Sequence, residues 1–158
     1  MPGTSGNRLS IGDFNPVLKE GNPAGGGVQR ISMQPLGPAL VVNGATYKTV
    51  QFIAPCNGCL LKELWTSSVV AIAGGTDTLA ISNYDKSATT ALNVLSTANI
   101  DPTTITALTG LQLTLSATLS NLIMDEGDVL NATLVCGTMS TAGEGLSLQV
   151  VVFVPDLI

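Results

Sequence analysis

The sequence contains no histidine, few charged residues and few aromatic residues. Without histidine, serine–histidine triads, cysteine–histidine dyads and most zinc-dependent catalysis are excluded. Charged residues make up 11% of the chain and aromatic residues 4%, whereas a typical soluble domain has about 25% charged residues. A surface built mainly from small uncharged groups is easily desolvated, because a hydroxyl costs less to remove from water than a carboxylate. This composition suits a subunit buried in an assembly. The alternative is a soluble monomer with a neutral surface.

The charges that are present form no patch. The formal net charge is −5, and the basic residues are scattered: Arg8, Lys19, Arg30, Lys48, Lys62 and Lys86. Nucleic-acid binding depends on clustered cations that displace counterions from phosphates, so we expect no nucleic-acid partner. No apolar run reaches the roughly 20 residues of a membrane span, so we also expect no membrane partner. The opening segment lacks the basic start and apolar run of a signal peptide, which predicts synthesis in the cytoplasm without conventional export.

Residues 1–45 differ in composition from the rest. They contain five of the eight prolines and the triplet Gly25-Gly26-Gly27, and both residue types weaken regular structure. We interpret this segment as an extended N-terminal arm with one short strand at residues 28–33. An arm of this kind could cross a neighbouring subunit. The alternatives are a disordered tail or a loop wrapped on its own domain.

From Thr46 onward, apolar and polar side chains alternate, which is typical of strands with one buried face. Predicted strands cover residues 47–53, 58–72, 78–82, 89–95, 111–115, 130–136 and 146–154, and Gly-, Asn- and Asp-rich turns separate most of them. In the second strand, the alternation places Leu61 on the face opposite Leu64. Residues 101–108 are predicted to be a loop with a helical turn capped by Asp101. We count about eight strands. The fold class predicted is therefore all-β: a jelly-roll-like antiparallel β-sandwich over residues 46–158.

The final predicted strand is apolar on both faces in its second half. In an isolated sandwich one face would meet water, so the outward residues Val151 and Phe153 indicate a subunit interface. The alternative is that the same chain covers them. Val28, Ile31 and Met33, the apolar residues of the short arm strand, complete the predicted interface.

Two clusters could carry chemistry, and each has a simpler explanation. Asp125, Glu126 and Asp128 lie around a glycine just before a predicted strand, which favours a solvated turn, with an incidental cation site as the alternative. Cys56-Asn57-Gly58-Cys59 lies between two predicted strands, where Asn-Gly favours a tight turn with the cysteines opposite each other. Ordinary thiols, a local disulfide and metal binding all remain open there. We therefore predict no catalytic residues, no cofactor and no metal site.

Four segments together resemble a known class of proteins. They are the stretch from Phe52 to Leu60, the long strand that continues to Val70, the turn Glu126-Gly127-Asp128 with the strand that follows, and the closing valine-rich strand. Over residues 46–155 the chain resembles the small jelly-roll decoration (cement) proteins, and related virion proteins, of tailed bacteriophages. The resemblance implies a non-enzymatic homotrimer, made in the host cytoplasm. It would sit on the virion capsid surface and clamp subunits of the major capsid protein. The alternatives are a phage tail or fibre component, another virion-surface binding module, or an enzyme or lectin-like module using the acidic turn.

Overall fold

The computed structural model describes residues 27–31 and 33–155, and these residues form a β-sandwich. Ten strands follow one another along the chain: β1 (Gly27–Arg30), β2 (Gln34–Pro35), β3 (Thr46–Ile53), β4 (Cys59–Ser67), β5 (Thr78–Asp85), β6 (Thr90–Asn93), β7 (Leu111–Leu113), β8 (Ile123–Met124), β9 (Val129–Val135) and β10 (Ser147–Val154). The strands predicted from alternation are all present, with shifted ends. The two-residue strands β2 and β8 were not predicted, because a pattern of period two needs more than two residues to show.

The strands form two antiparallel sheets. The front sheet has the order β1-β10-β4-β7, with β2 also paired to β10 and β8 also paired to β4. The back sheet has the order β3-β9-β5-β6. The predicted all-β antiparallel sandwich is therefore confirmed.

The core lies between the sheets and is built from alternate residues of the strands. In β9, Leu130 and Leu134 point inward and are fully buried, and in β10 Leu148 and Val150 do the same. Burying a side chain of this size stabilises the fold by about 1.5–3 kcal/mol relative to leaving it in water. This alternation is the reason that these segments form strands in a two-sheet structure.

A β-bulge in β4 changes which leucines face the core. Glu63 pairs with Val151 and Leu61 pairs with Val152, so Lys62 is an extra residue in β4. The extra residue turns both Leu61 and Leu64 inward, where they are 2% and 0% exposed. The prediction that these two leucines lie on opposite faces is wrong, because simple alternation contains no bulge.

The structure also corrects the boundary predicted between an arm and the sandwich. β1 and β2 both pair with β10 of the same chain. Leu36 and Val41 lie in the core with 0% and 1% exposure. The described residues before Thr46 thus belong to the sandwich, since their apolar side chains close one end of its core. Residues 1–26 of the predicted arm lie outside the described residues.

The helical turn predicted after Asp101 is confirmed as a 3-10 turn at Pro102–Thr104. The Asp101 carboxylate accepts a hydrogen bond from the Thr103 amide at 2.9 Å, and proline occupies the first position, where no amide donor is needed. Within residues 27–31 and 33–155, no helix has the length and apolar character needed to cross a membrane.

Candidate subunit interface

Four apolar side chains form a continuous row across the outer face of the front sheet. Val28 in β1 pairs with Phe153 in β10, Phe153 pairs with Leu60 in β4, and Leu60 pairs with Ile123 in β8. Val28, Phe153 and Ile123 are 40%, 38% and 39% exposed, and Leu60 is half-buried. We call these four residues the apolar row. Cross-strand neighbours on one face lie within contact distance, so the row is a single hydrophobic strip rather than scattered side chains.

Val151 does not belong to this exposed strip. It faces outward, as predicted, but is only 2% exposed. It pairs with Glu63 on one side and with Arg30 on the other, in the interior of the sheet. Trp65 lies on the same face and donates a hydrogen bond from its indole nitrogen to Glu63 Oε2 at 2.8 Å. The prediction that Val151 is open to a partner is wrong, since the described chain itself covers this valine.

The other predicted interface residues separate into two places. Ile31 packs against the core, and its amide donates to the Val150 carbonyl at 2.8 Å, so it offers little surface to a partner. Met33 is 41% exposed and lines a groove with Trp65. Only Val28 and Phe153 of the predicted set are brought together. Leu60 and Ile123 were missed because a strand register, which sequence does not provide, is needed to place them beside Phe153.

The groove beside Met33 has a volume of about 440 Å³ and is lined entirely by uncharged residues. Trp65, the single tryptophan of the chain, is held there by its hydrogen bond to Glu63. Leu108 lines the groove with 82% of its surface exposed and a positive φ of 57°. A leucine in this left-handed conformation is strained. The exposed Leu108 side chain adds an apolar contact to a groove otherwise lined largely by Ser, Thr and Gly.

The outer face of the back sheet carries little charge. Ile53, Val129, Tyr84 and Ala91 form a second cross-strand row on β3, β9, β5 and β6. The other outward positions of these four strands carry Thr, Asn, Ser, Ala and Val side chains together with one charged residue, Lys48. The back face is therefore weakly hydrated, whereas the front face carries Glu63 beside Val151 and has Lys62 exposed at the bulge.

The acidic turn is a hydrogen-bonded junction. Asp128 is 6% exposed, and its two carboxylate oxygens accept from the Lys86 amide at 3.1 Å and the Asp125 amide at 2.9 Å. Asp125 Oδ1 accepts from the Gly58 amide at 3.2 Å. The prediction of a solvated turn holds for the exposed Asp125 and Glu126 and is wrong for Asp128. Among the described residues, no group of three or more Cys, Asp and Glu side chains is placed to hold a metal ion.

The cysteines of the C-x-x-C segment lie side by side next to this turn. Cys56 is half-buried and Cys59 is buried, and their sulfur atoms are 3.7 Å apart. Burial, followed by the side-chain hydrogen bond with Cys56, raises the pKa of Cys59 to about 11. Cys136 is buried in the core, where burial and the nearby Asp77 charge raise its pKa. At neutral pH, Cys59 and Cys136 are therefore protonated thiols.

Comparisons with protein-family models, with curated proteins and with solved structures find no match for this chain. The described residues form an antiparallel β-sandwich with a weakly charged back face, an apolar row on the front sheet and an uncharged groove beside Trp65.

Proposed function

We propose that this chain is a virion structural protein that decorates an icosahedral phage head. In this role it binds between subunits of the major capsid protein as a homotrimer and stabilises the shell. The observation that carries the proposal is the apolar row formed by Val28, Phe153, Leu60 and Ile123 on the outer face of the front sheet.

The order of the strands supports the same proposal. If β1 and β2 are taken together and β8 is set aside, eight strands remain. Consecutive strands then pass from one sheet to the other, except that β5 and β6 are neighbours in the back sheet. We infer that this is the double Greek-key order of a jelly roll, an architecture found in viral capsid domains but also in lectins and cupins. The fold alone does not decide among these functions, so the proposal rests on the surface.

The size of the apolar row sets what it can contribute. Full burial of one such side chain is worth about 1.5–3 kcal/mol. Because these side chains are already about three-fifths buried, hiding the remainder yields on the order of 2–5 kcal/mol for the row. Association costs roughly 4–15 kcal/mol, so this row cannot hold a partner alone. Several linked contacts are required, which is what a trimer bound to neighbouring capsid subunits supplies.

Sedimentation analysis of charge-introducing variants tests the interface. We expect the wild-type protein to sediment as a trimer and Phe153→Asp or Val28→Asp to shift it toward monomer, because an unpaired carboxylate would be buried at the contact. Val42→Asp is the matched control: Val42 is 58% exposed and lies in the loop between β2 and β3. A wild-type protein that stays monomeric at high concentration contradicts the trimer, and equal effects of all three substitutions contradict the role of the row.

Electron cryomicroscopy of phage heads carrying this protein tests the location. The expected density shows three copies around one axis on the outside of the shell, with sheet faces against the capsid. Density confined to the tail would exclude head decoration.

The groove beside Trp65 favours a second candidate, a tail or fibre component or another virion-surface binding module. Such a protein needs an exposed ligand site, and this groove of about 440 Å³ has uncharged walls and an aromatic side chain held in a fixed position. Because Trp65 is the single tryptophan, its fluorescence reports directly on the groove. Saturable changes with purified host-surface polysaccharide would favour the binding module, and unchanged fluorescence with trimers on heads would favour decoration.

A further inference from the structure

The thiols of Cys56 and Cys59 lie next to each other at the start of β4. Their sulfur atoms are 3.7 Å apart, and a disulfide bond requires about 2.05 Å. Asn57 and Gly58 separate them, and Gly58 has a φ of 78°, which lets the chain reverse between the two cysteines. The two sulfur atoms therefore need to approach by less than two ångströms to join.

The backbone of this turn is fixed by contacts that do not involve sulfur. The Asn57 side chain accepts from the Glu126 amide at 2.8 Å, and the Gly58 amide donates to Asp125 Oδ1 at 3.2 Å. These two hydrogen bonds attach the turn to the acidic junction. Because neither hydrogen bond involves a sulfur atom, joining the thiols does not by itself remove either one.

We propose that Cys56 and Cys59 form a reversible intramolecular disulfide when the native protein meets a low-molecular-weight disulfide such as oxidised glutathione. This inference concerns the fold of the turn and does not depend on the function proposed above.

The exchange proceeds in two balanced steps. The Cys56 thiol loses its proton, and its sulfur attacks one sulfur of oxidised glutathione. This forms a mixed disulfide and releases one glutathione thiolate, which takes up a proton. The Cys59 sulfur then loses its proton and attacks Cys56 Sγ, which releases the second glutathione. The protein loses two electrons and two protons, and one oxidised glutathione becomes two reduced molecules.

The two cysteines differ in solvent accessibility, as this order of attack requires. Cys56 is half-buried and can be reached from solvent, whereas Cys59 is fully buried. An attacking thiol must be accessible, while a resolving thiol must lie beside the first and lose its proton, a step that the raised pKa of Cys59 slows. Cys136 is 1% exposed and lies in the core, so it takes no part.

The disulfide would tie the turn to the first residue of β4, directly before Leu60 of the apolar row. The loop that it closes is only four residues long, so its effect on the unfolded chain is small. For a domain of this size we expect a rise in Tm of a few degrees on oxidation, reversed by dithiothreitol.

The test exposes folded wild-type protein to oxidised glutathione, blocks the remaining thiols, and maps the cysteines by mass spectrometry. We expect the number of free thiols to fall from three to one, with Cys56 linked to Cys59. In Cys59→Ala the mixed disulfide with glutathione should persist on Cys56, because nothing resolves it. In Cys136→Ala, the matched control, the internal disulfide should form as in wild type.

Three results would overturn the proposal: wild-type protein that keeps all its thiols, glutathione that stays attached to Cys56 in wild type, or a linkage that includes Cys136. The wild-type peptide map decides between these outcomes even if a variant fails to fold.

Discussion

Replacing Asp128 with alanine should destabilise this protein far more than replacing its neighbour Asp125. Asp128 joins three segments of the sandwich. Its carboxylate accepts from the Lys86 amide after β5 and from the Asp125 amide after β8, and its own carbonyl accepts from the Ala54 amide at 2.9 Å. With 6% of its surface exposed, it works as a structural acceptor rather than as a solvated acid.

The magnitude follows from the two amide donors left without their acceptor. A hydrogen bond to a charged group is worth about 1.5–3 kcal/mol, which sets an upper limit of about 6 kcal/mol for the pair. Lys86 and Asp125 are exposed residues, so water can reach part of the vacated site and recover some of this. We expect Asp128→Ala to lower the free energy of unfolding by about 2–4 kcal/mol. Asp125→Asn, which weakens a single exposed contact of 3.2 Å, should cost less than about 1 kcal/mol.

Urea unfolding at pH 7 measures this difference. With a slope of about 2 kcal/mol/M, the midpoint of Asp128→Ala should fall by roughly 1–2 M while the slope stays unchanged. Asp128→Asn should lie between alanine and wild type, because one amide oxygen can still accept one bond. Added calcium should leave the wild-type midpoint in place. The reasoning fails if Asp128→Ala unfolds within about 0.5 kcal/mol of wild type, or if Asp125→Asn is equally destabilising.

Two further predictions concern acid and the N-terminal strand. Hydrogen bonds from the Ser87 side chain, then from the amides of Ala88 and Ser87, lower the pKa of Asp85 below its ordinary value of 3.8. The ionised Asp85 carboxylate therefore stabilises the folded state above pH 3.8, and this stabilisation is lost as the pH falls through the lower pKa of the folded protein. An NMR titration should place the midpoint of this carboxyl group below 3.8. Deleting residues 1–26 should leave Tm within a few degrees of wild type, whereas deleting residues 1–30 also removes β1. The longer deletion should clearly lower the Tm measured by calorimetry, or cause aggregation detectable by light scattering, because one edge of β10 loses its partner. Equal Tm values for both deletions would contradict this prediction.

The strands could be predicted from sequence where one face is buried and the other is exposed to solvent. In β9 and β10 the alternation of buried and half-exposed residues is nearly uninterrupted, and both strands were predicted within one residue of their observed ends. Asp101 before Pro102 was equally informative, because capping depends on only a few adjacent residues. Local patterns therefore gave the right elements and the right fold class.

The errors came from features that depend on distant parts of the chain. The bulge at Lys62 is visible only in the pairing of β4 with β10, and it changed the face assigned to Leu61. Val151 faces outward between β1 and β4 like Phe153, yet only Val151 is covered, and no alternation pattern distinguishes the two. Leu36 and Val41 stand in a proline- and glycine-rich stretch that composition assigned to an arm, yet their side chains close the core. Only Val28 and Phe153 of the apolar row were predicted, because the strand register places Leu60 and Ile123 beside them.

The position of β10 has a consequence for how the molecule is made. This strand comes last among the described strands, yet it lies in the middle of the front sheet, with β1 and β2 on one side and β4 on the other. Neither flank can pair with β10 until residues 147–154 have left the ribosome. Until then, β2 and β4 in the nascent chain each have an unpaired edge where β10 will later lie. The front sheet closes only by pairing between residues far apart in sequence, which is intrinsically slow. Closure of the front sheet is thus a late event, and any truncation before Ser147 leaves its two flanks with no strand to join them.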